Sequence, residues 1–156
     1  MDIELMAATG KAGAAAVLGL AAVGSAIGTG TAGMAAVGAW KKCYAQSKAA
    51  PFILITFIGA PLSQTIYGMI LMLQINGAID AMVADGATFI AWPMMLSAGF
   101  FGGLGMAASA AFQGKAGAAG ADALSETGQG FGNYLMTIGI VETVALFVLV
   151  FLLILM

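Results

Sequence analysis

Charge is scarce in this chain. Of 156 residues, five are Lys and seven are Asp or Glu, while Arg and His are absent. Only 8% of the residues are charged, where a soluble domain carries about a quarter, so there is too little to clothe a water-facing surface. A net charge of −2 with no Arg also excludes a phosphate-gripping surface for nucleic acid. Cys43 is alone, which removes an internal disulfide and any thiolate metal cluster. The opening MDIEL is acidic where a signal peptide is basic, so the first apolar stretch reads as a retained span.

What fills the chain instead is apolar. Hydrophobic residues make up 62%, and the mean hydropathy is +1.04. The few charges divide it: Lys41, Lys42 and Lys48 before Pro51, then Asp80 and Asp85, then Asp122 and Glu126. Between them lie four expected helices, about 10–40, 51–77, 91–124 and 130–156, each long enough to cross a hydrocarbon core of about 30 Å. Pro51 suits the first turn of helix 2, where a missing N–H costs nothing. The stretch NGAIDAMVADGA (76–87) reads as a short exposed loop. Three of the five lysines flank the first connection, so the positive-inside rule puts that loop in the cytoplasm and both termini outside. The fold class expected is an all-α membrane protein, residues 1–156 forming one transmembrane domain.

The helices are of two kinds. Gly, Ala, Ser and Thr supply 22 of the 30 residues in 10–39 and 19 of the 27 in 97–123, whereas helices 2 and 4 are filled with Leu, Ile, Val, Phe and Met. Small residues let backbones approach, and large apolar ones suit lipid. Helices 1 and 3 should therefore form a tight inner layer that also meets neighbouring copies, with helices 2 and 4 outside. An internal repeat explains the alternation. AIGTGTAGMAA (26–36) resembles AFQGKAGAAGA (111–121), and IGAPL (58–62) lies over IGIVE (138–142). The chain reads as two fused hairpins, about 10–77 and 91–156, and Glu142 of the second faces Leu62 of the first.

Glu142 is the anomaly, an acid within an apolar run that contains no Lys or Arg. Its insertion costs roughly 2.5–3.5 kcal/mol on translocon scales. Ser63 lies 12 residues past Pro51, Glu142 lies 12 past Gly130, and Gln113 lies 11 before Leu124 on an antiparallel helix. At 1.5 Å per residue all three sit at a depth of about 17–18 Å, near the midplane. Gln64, Tyr67 and Thr143 are within about a turn, and Pro61 deprives the Phe57 carbonyl of its usual donor and distorts the turn at Ala60. Amides and hydroxyls alone would suit interhelical bonding. An acid with no basic partner points instead to an ion pathway.

Two fused hairpins with Gly/Ala-rich odd helices and one acid in helix 4 resemble the proteolipid of the rotor ring in V-type and A-type rotary ATPases. ETVAL (142–146), PLSQTIYG (61–68) and FQGKAGAAG (112–120) make the resemblance specific over nearly the whole chain. It is similar to the bacterial sixteen-kilodalton form, known as the K or c proteolipid. The resemblance implies identical copies in a ring in the bacterial plasma membrane, small helices lining the inside. Each Glu would carry an ion between two half-channels of a stator membrane protein, whose arginine displaces it. The proteolipid is itself no enzyme. Central-stalk proteins would meet the cytoplasmic loops 41–50 and 124–130.

Members that carry Na+ join the acid to a helix 3 Gln, a Thr–Gln pair after the helix 2 proline, the carbonyl before that proline and a Tyr. Gln113 matches, Ser63–Gln64 stands where Thr–Gln is usual, Ala60 offers the carbonyl, and Tyr67 would hydrogen-bond the carboxylate. Leu62 replaces a customary Gly, and Thr143 adds weaker support. Neutral oxygens suit a hard cation because they replace its hydration shell without adding charge. The ion expected is Na+, with H+ alone as the alternative. A different class, a proton-coupled four-helix exporter of small cations, resembles another pattern, with its acid in helix 1 and no duplication. Lys115 and Lys11 are expected to snorkel from helix ends, and Trp40 and Trp92 to anchor at the interfaces. GTGTAG (28–33) lacks the following Lys–Ser/Thr of a phosphate loop.

Overall fold

The computed structural model describes residues 2–156. Four apolar helices dominate it: α1 (Ile3–Ala45), α2 (Phe52–Ala84), α3 (Trp92–Thr127) and α4 (Phe131–Leu155), each long and apolar enough to cross a membrane. No strand occurs among the described residues.

Asp2 caps α1 by accepting the Leu5 N–H at 2.7 Å, as an N-terminal carboxylate does. With 43 residues, α1 is about 65 Å long, twice the hydrocarbon thickness. Its ends are tied down by charge. Lys11 pairs with Asp80 of α2 at 2.7 Å, and Lys42 pairs with Glu126 of α3. These pairs are 31 residues apart on α1, about 46 Å, so a 30 Å apolar slab fits between them. Lys11 thus finds a carboxylate rather than merely snorkelling. Lys115 lies over the Phe112 ring at 4.7 Å, a cation–π contact.

Helix 2 departs most from expectation. It runs on through the stretch read as a loop and ends at Ala84, leaving 85–91 as the connection. Ile, Ala and Met in that stretch are adequate helix formers, and the Lys11–Asp80 pair holds the extra turns. Tight 3₁₀ turns at Phe52–Leu54 and Ala60–Leu62 interrupt α2. The second centres on Pro61, which has no N–H to bond the Phe57 carbonyl. The Ser63 N–H closes that turn onto Ala60 O. The Phe57 carbonyl lies against α3, 3.0 Å from where a Cβ on Gly117 would stand. Trp40 Nε1 donates to Pro51 O at 2.8 Å, tying the first connection to α1.

The core is the seam between α1 and α3. Cβ atoms added to Gly13, Gly24 or Gly28 would strike the α3 backbone at Met95–Leu96, Ala107 or Ala110, and one on Gly114 would strike Gly28 itself. Contacts advance together along both helices, so the two run parallel. Helix α2 packs antiparallel on α1, with Gly10 beside Ile79, Ala21 beside Gly68 and Gly28 beside Pro61. Helix α4 packs antiparallel on α3, with Gly102 beside Leu152, Gly105 beside Val148 and Gly120 beside Tyr134. Gly128 in the left-handed conformation ends α3, its N–H returning to Leu124 O at 2.9 Å. The inner pair and outer pair therefore fall as the residue sizes require.

Candidate ion-binding site

Helices α2, α3 and α4 each bring polar groups to one level. Gln64 and Gln113 are completely buried, at 0% exposure, and Glu142 is half-buried. Tyr67, one turn beyond Ser63 on α2, donates its hydroxyl to Glu142 Oε1 at 2.8 Å. From α3, Gln113 Nε2 donates to Glu142 Oε2 at 3.2 Å and to the Ile138 carbonyl at 3.3 Å. Both carboxylate oxygens are thereby held by neutral donors, and among the described residues no cation pairs with them. That arrangement orients the acid without neutralising it.

The network continues inward. Gln64 Nε2 donates to Gln113 Oε1 at 2.9 Å and to Ser109 Oγ at 3.4 Å. Ser109 in turn donates to the Val141 carbonyl at 2.9 Å. At the Pro61 turn, Ser63 Oγ lies 3.1 Å from Ala60 O and 3.2 Å from Gln64 Oε1. Ala60, Ser63, Gln64, Tyr67, Gln113 and Glu142, all named from the sequence, are thus linked by hydrogen bonds. Leu62, in place of a usual Gly, is 54% exposed and points out of the cluster, so it does not crowd it.

Thr143 does not join. It is exposed, and its hydroxyl donates to the Ile140 carbonyl of its own helix at 2.7 Å. Adjacent residues on a helix point about 100° apart, so the neighbour of an inward acid turns away. Ser109 is the member that sequence reasoning missed. Its signal is spacing, since it stands one turn before Gln113 on the same buried stripe of α3.

The donor set is chemically hard. Among the described residues no three His, Cys, Asp or Glu side chains come together, which leaves one carboxylate with amide, hydroxyl and carbonyl oxygens. Such a set suits an alkali cation better than a transition metal. A half-turn of a terminal amide exchanges its oxygen for its nitrogen. Gln64 and Gln113 can therefore present either acceptors to a cation or donors to each other. The cluster fits a small monovalent cation as cargo, and its carboxylate can equally hold a proton.

No curated protein matches the chain. Residues 96–155, which carry Ser109, Gln113 and Glu142, match the family model of the ATP synthase C subunit, a non-catalytic membrane rotor component, and this supports a ring-forming, ion-carrying proteolipid.

Proposed function

We propose that this chain is the rotor-ring proteolipid of a V-type or A-type rotary ATPase and that it carries Na+. One observation carries the reading: a membrane-depth acid with no basic partner is held by Tyr67 and Gln113, at the end of an amide and hydroxyl network that reaches Ser63 and Ala60. A proton carrier needs little beyond the carboxyl. The extra oxygens of Ala60, Ser63, Gln64 and Gln113 are what a dehydrated cation requires. Thr143, outside the network, is left out of the ligand set.

The chain's residues then divide the work. Glu142 supplies the charge that draws the cation from water. Neutral oxygens replace the hydration shell, and Tyr67 keeps the carboxylate turned toward them. Release needs an outside positive charge, which this Arg-free chain does not provide and a stator arginine would. Identical copies side by side would carry the sites round a ring. Central-stalk proteins would meet the connections after α1 and α3; Lys41, Lys42 and Lys48 at the first of these support reading that end as cytoplasmic and both termini as outside, in what would be a bacterial plasma membrane.

Carbodiimide labelling of Glu142 in the purified protein tests the ion. The protonated carboxyl gives its proton to a nitrogen of dicyclohexylcarbodiimide and adds its oxygen to the central carbon, so a bound cation should slow the reaction. At constant pH, added Na+ is expected to slow labelling, whereas K+ at equal ionic strength is not. Labelling that responds to pH alone would make H+ the cargo.

A further inference from the structure

One polar side chain of the core makes no hydrogen bond. Ser25 on α1 is 2% exposed, and its Oγ has no partner among the described residues. A buried hydroxyl left unpaired is costly enough to call for a reason. Register locates it. From Gly10 beside Ile79, through Ala21 beside Gly68, to Gly28 beside Pro61, each step forward on α1 is one step back on α2. Residue 25 therefore stands opposite Gln64. On the other flank Gly24 abuts Ala107 and Gly28 abuts Ala110, which brings Ser25 to the level of Ser109.

Gln64 has the complementary need. Its two amide protons now go to Gln113 Oε1 and Ser109 Oγ. Once the Gln64 and Gln113 oxygens both face a cation, the Gln64 nitrogen, on the other side of its amide, points away from Gln113 Oε1 and their mutual bond is lost. Gln64 Nε2 then turns toward α1 with one proton unplaced, a costly state for a fully buried amide. We propose that Ser25 Oγ accepts that proton, directly or through one bridging water, and so acts as a positioning residue that fixes the Gln64 oxygen toward the cation. The role rests on the sodium reading of the site. It also accounts for a hydroxyl that is idle in one arrangement of the cluster and engaged in the other.

The test is the Na+ concentration that half-protects Glu142 from dicyclohexylcarbodiimide, measured on the assembled protein at one pH. Ser25→Ala should raise it about five-fold, the worth of one buried hydrogen bond. Ser25→Cys, similar in volume but a poor acceptor, should behave like Ser25→Ala. The pH dependence of labelling without Na+ should match wild type, because Tyr67 and Gln113 still hold the carboxylate. A general packing defect would move both readouts, and that result overturns the role. An unchanged half-protecting concentration in Ser25→Ala, with wild type protected, overturns this role alone. Absence of Na+ protection in wild type overturns the sodium reading, and this role with it.

Discussion

Gln113 bonds to three partners at once: Glu142, the Ile138 carbonyl and Gln64. Its removal would leave a carboxylate oxygen and a buried Gln64 proton unsatisfied together. A hydrogen bond to a charged group is worth about 1.5–3 kcal/mol. Gln113→Ala is accordingly expected to raise the half-protecting Na+ concentration by about tenfold or more, and unchanged affinity would remove it from the ligand set. At this scale much was legible. An acid without a base announces itself in a sequence with five cations, and counting 1.5 Å per residue puts Ser63 and Gln113 at its depth. Depth counting is blind to azimuth, however. It admitted Thr143, which lies at the right height and faces the wrong way, and passed over Ser109, a lone hydroxyl among alanines.

Between α1 and α3 the glycines matter by position rather than by number. A Cβ on Gly114 would meet the Gly28 backbone, which cannot swing aside as a side chain can. Gly114→Val should therefore destabilise the fold by about 1–3 kcal/mol or more, seen as a lower melting temperature in detergent. Gly132→Ala, where a Cβ meets nothing within 4 Å, should be close to neutral. The same melting comparison checks both, and equal behaviour would contradict the seam. Pro61 acts at this scale too. Its 3₁₀ turn gathers Ala60 O, Ser63 Oγ and Gln64 Oε1 at one spot. The break at Pro61 was readable from sequence, but the extension of α2 to Ala84 was not. Turn-forming residues at 76–87 are outvoted there by packing against α1 and by the Lys11–Asp80 pair.

As a whole, the molecule presents large apolar side chains outward along α2 and α4, from Ile66, Met69 and Leu73 to Phe147, Phe151 and Ile154. That surface suits lipid, and Val23, Ile27, Met34 and Val37 leave a further exposed apolar face on α1. In the proposed ring this face would meet lipid or a neighbouring copy. Electron microscopy of the detergent-purified protein should show closed rings, and particles no larger than dimers would remove the rotor reading. Glu142→Gln should abolish Na+ transport by the complete ATPase and leave those rings intact, because Gln retains the size and hydrogen bonding of the acid without its charge.

The sequence by itself determined the fold class and singled out the acid on which the proposed function turns. Hydropathy sets how many helices cross, residue size separates inner from outer helices, and an unpaired acid is visible without coordinates. These properties are local, or additive along the chain. Only the tertiary structure decided which polar groups meet. That depends on helix rotation and register, set by glycine contacts tens of residues apart in sequence, such as Gly28 with Gly114 and Gly68 with Ala21. A rotation of one residue, about 100°, separates Glu142 in the network from Thr143 outside it. The same register sets Ser25, unremarkable in sequence, opposite Gln64.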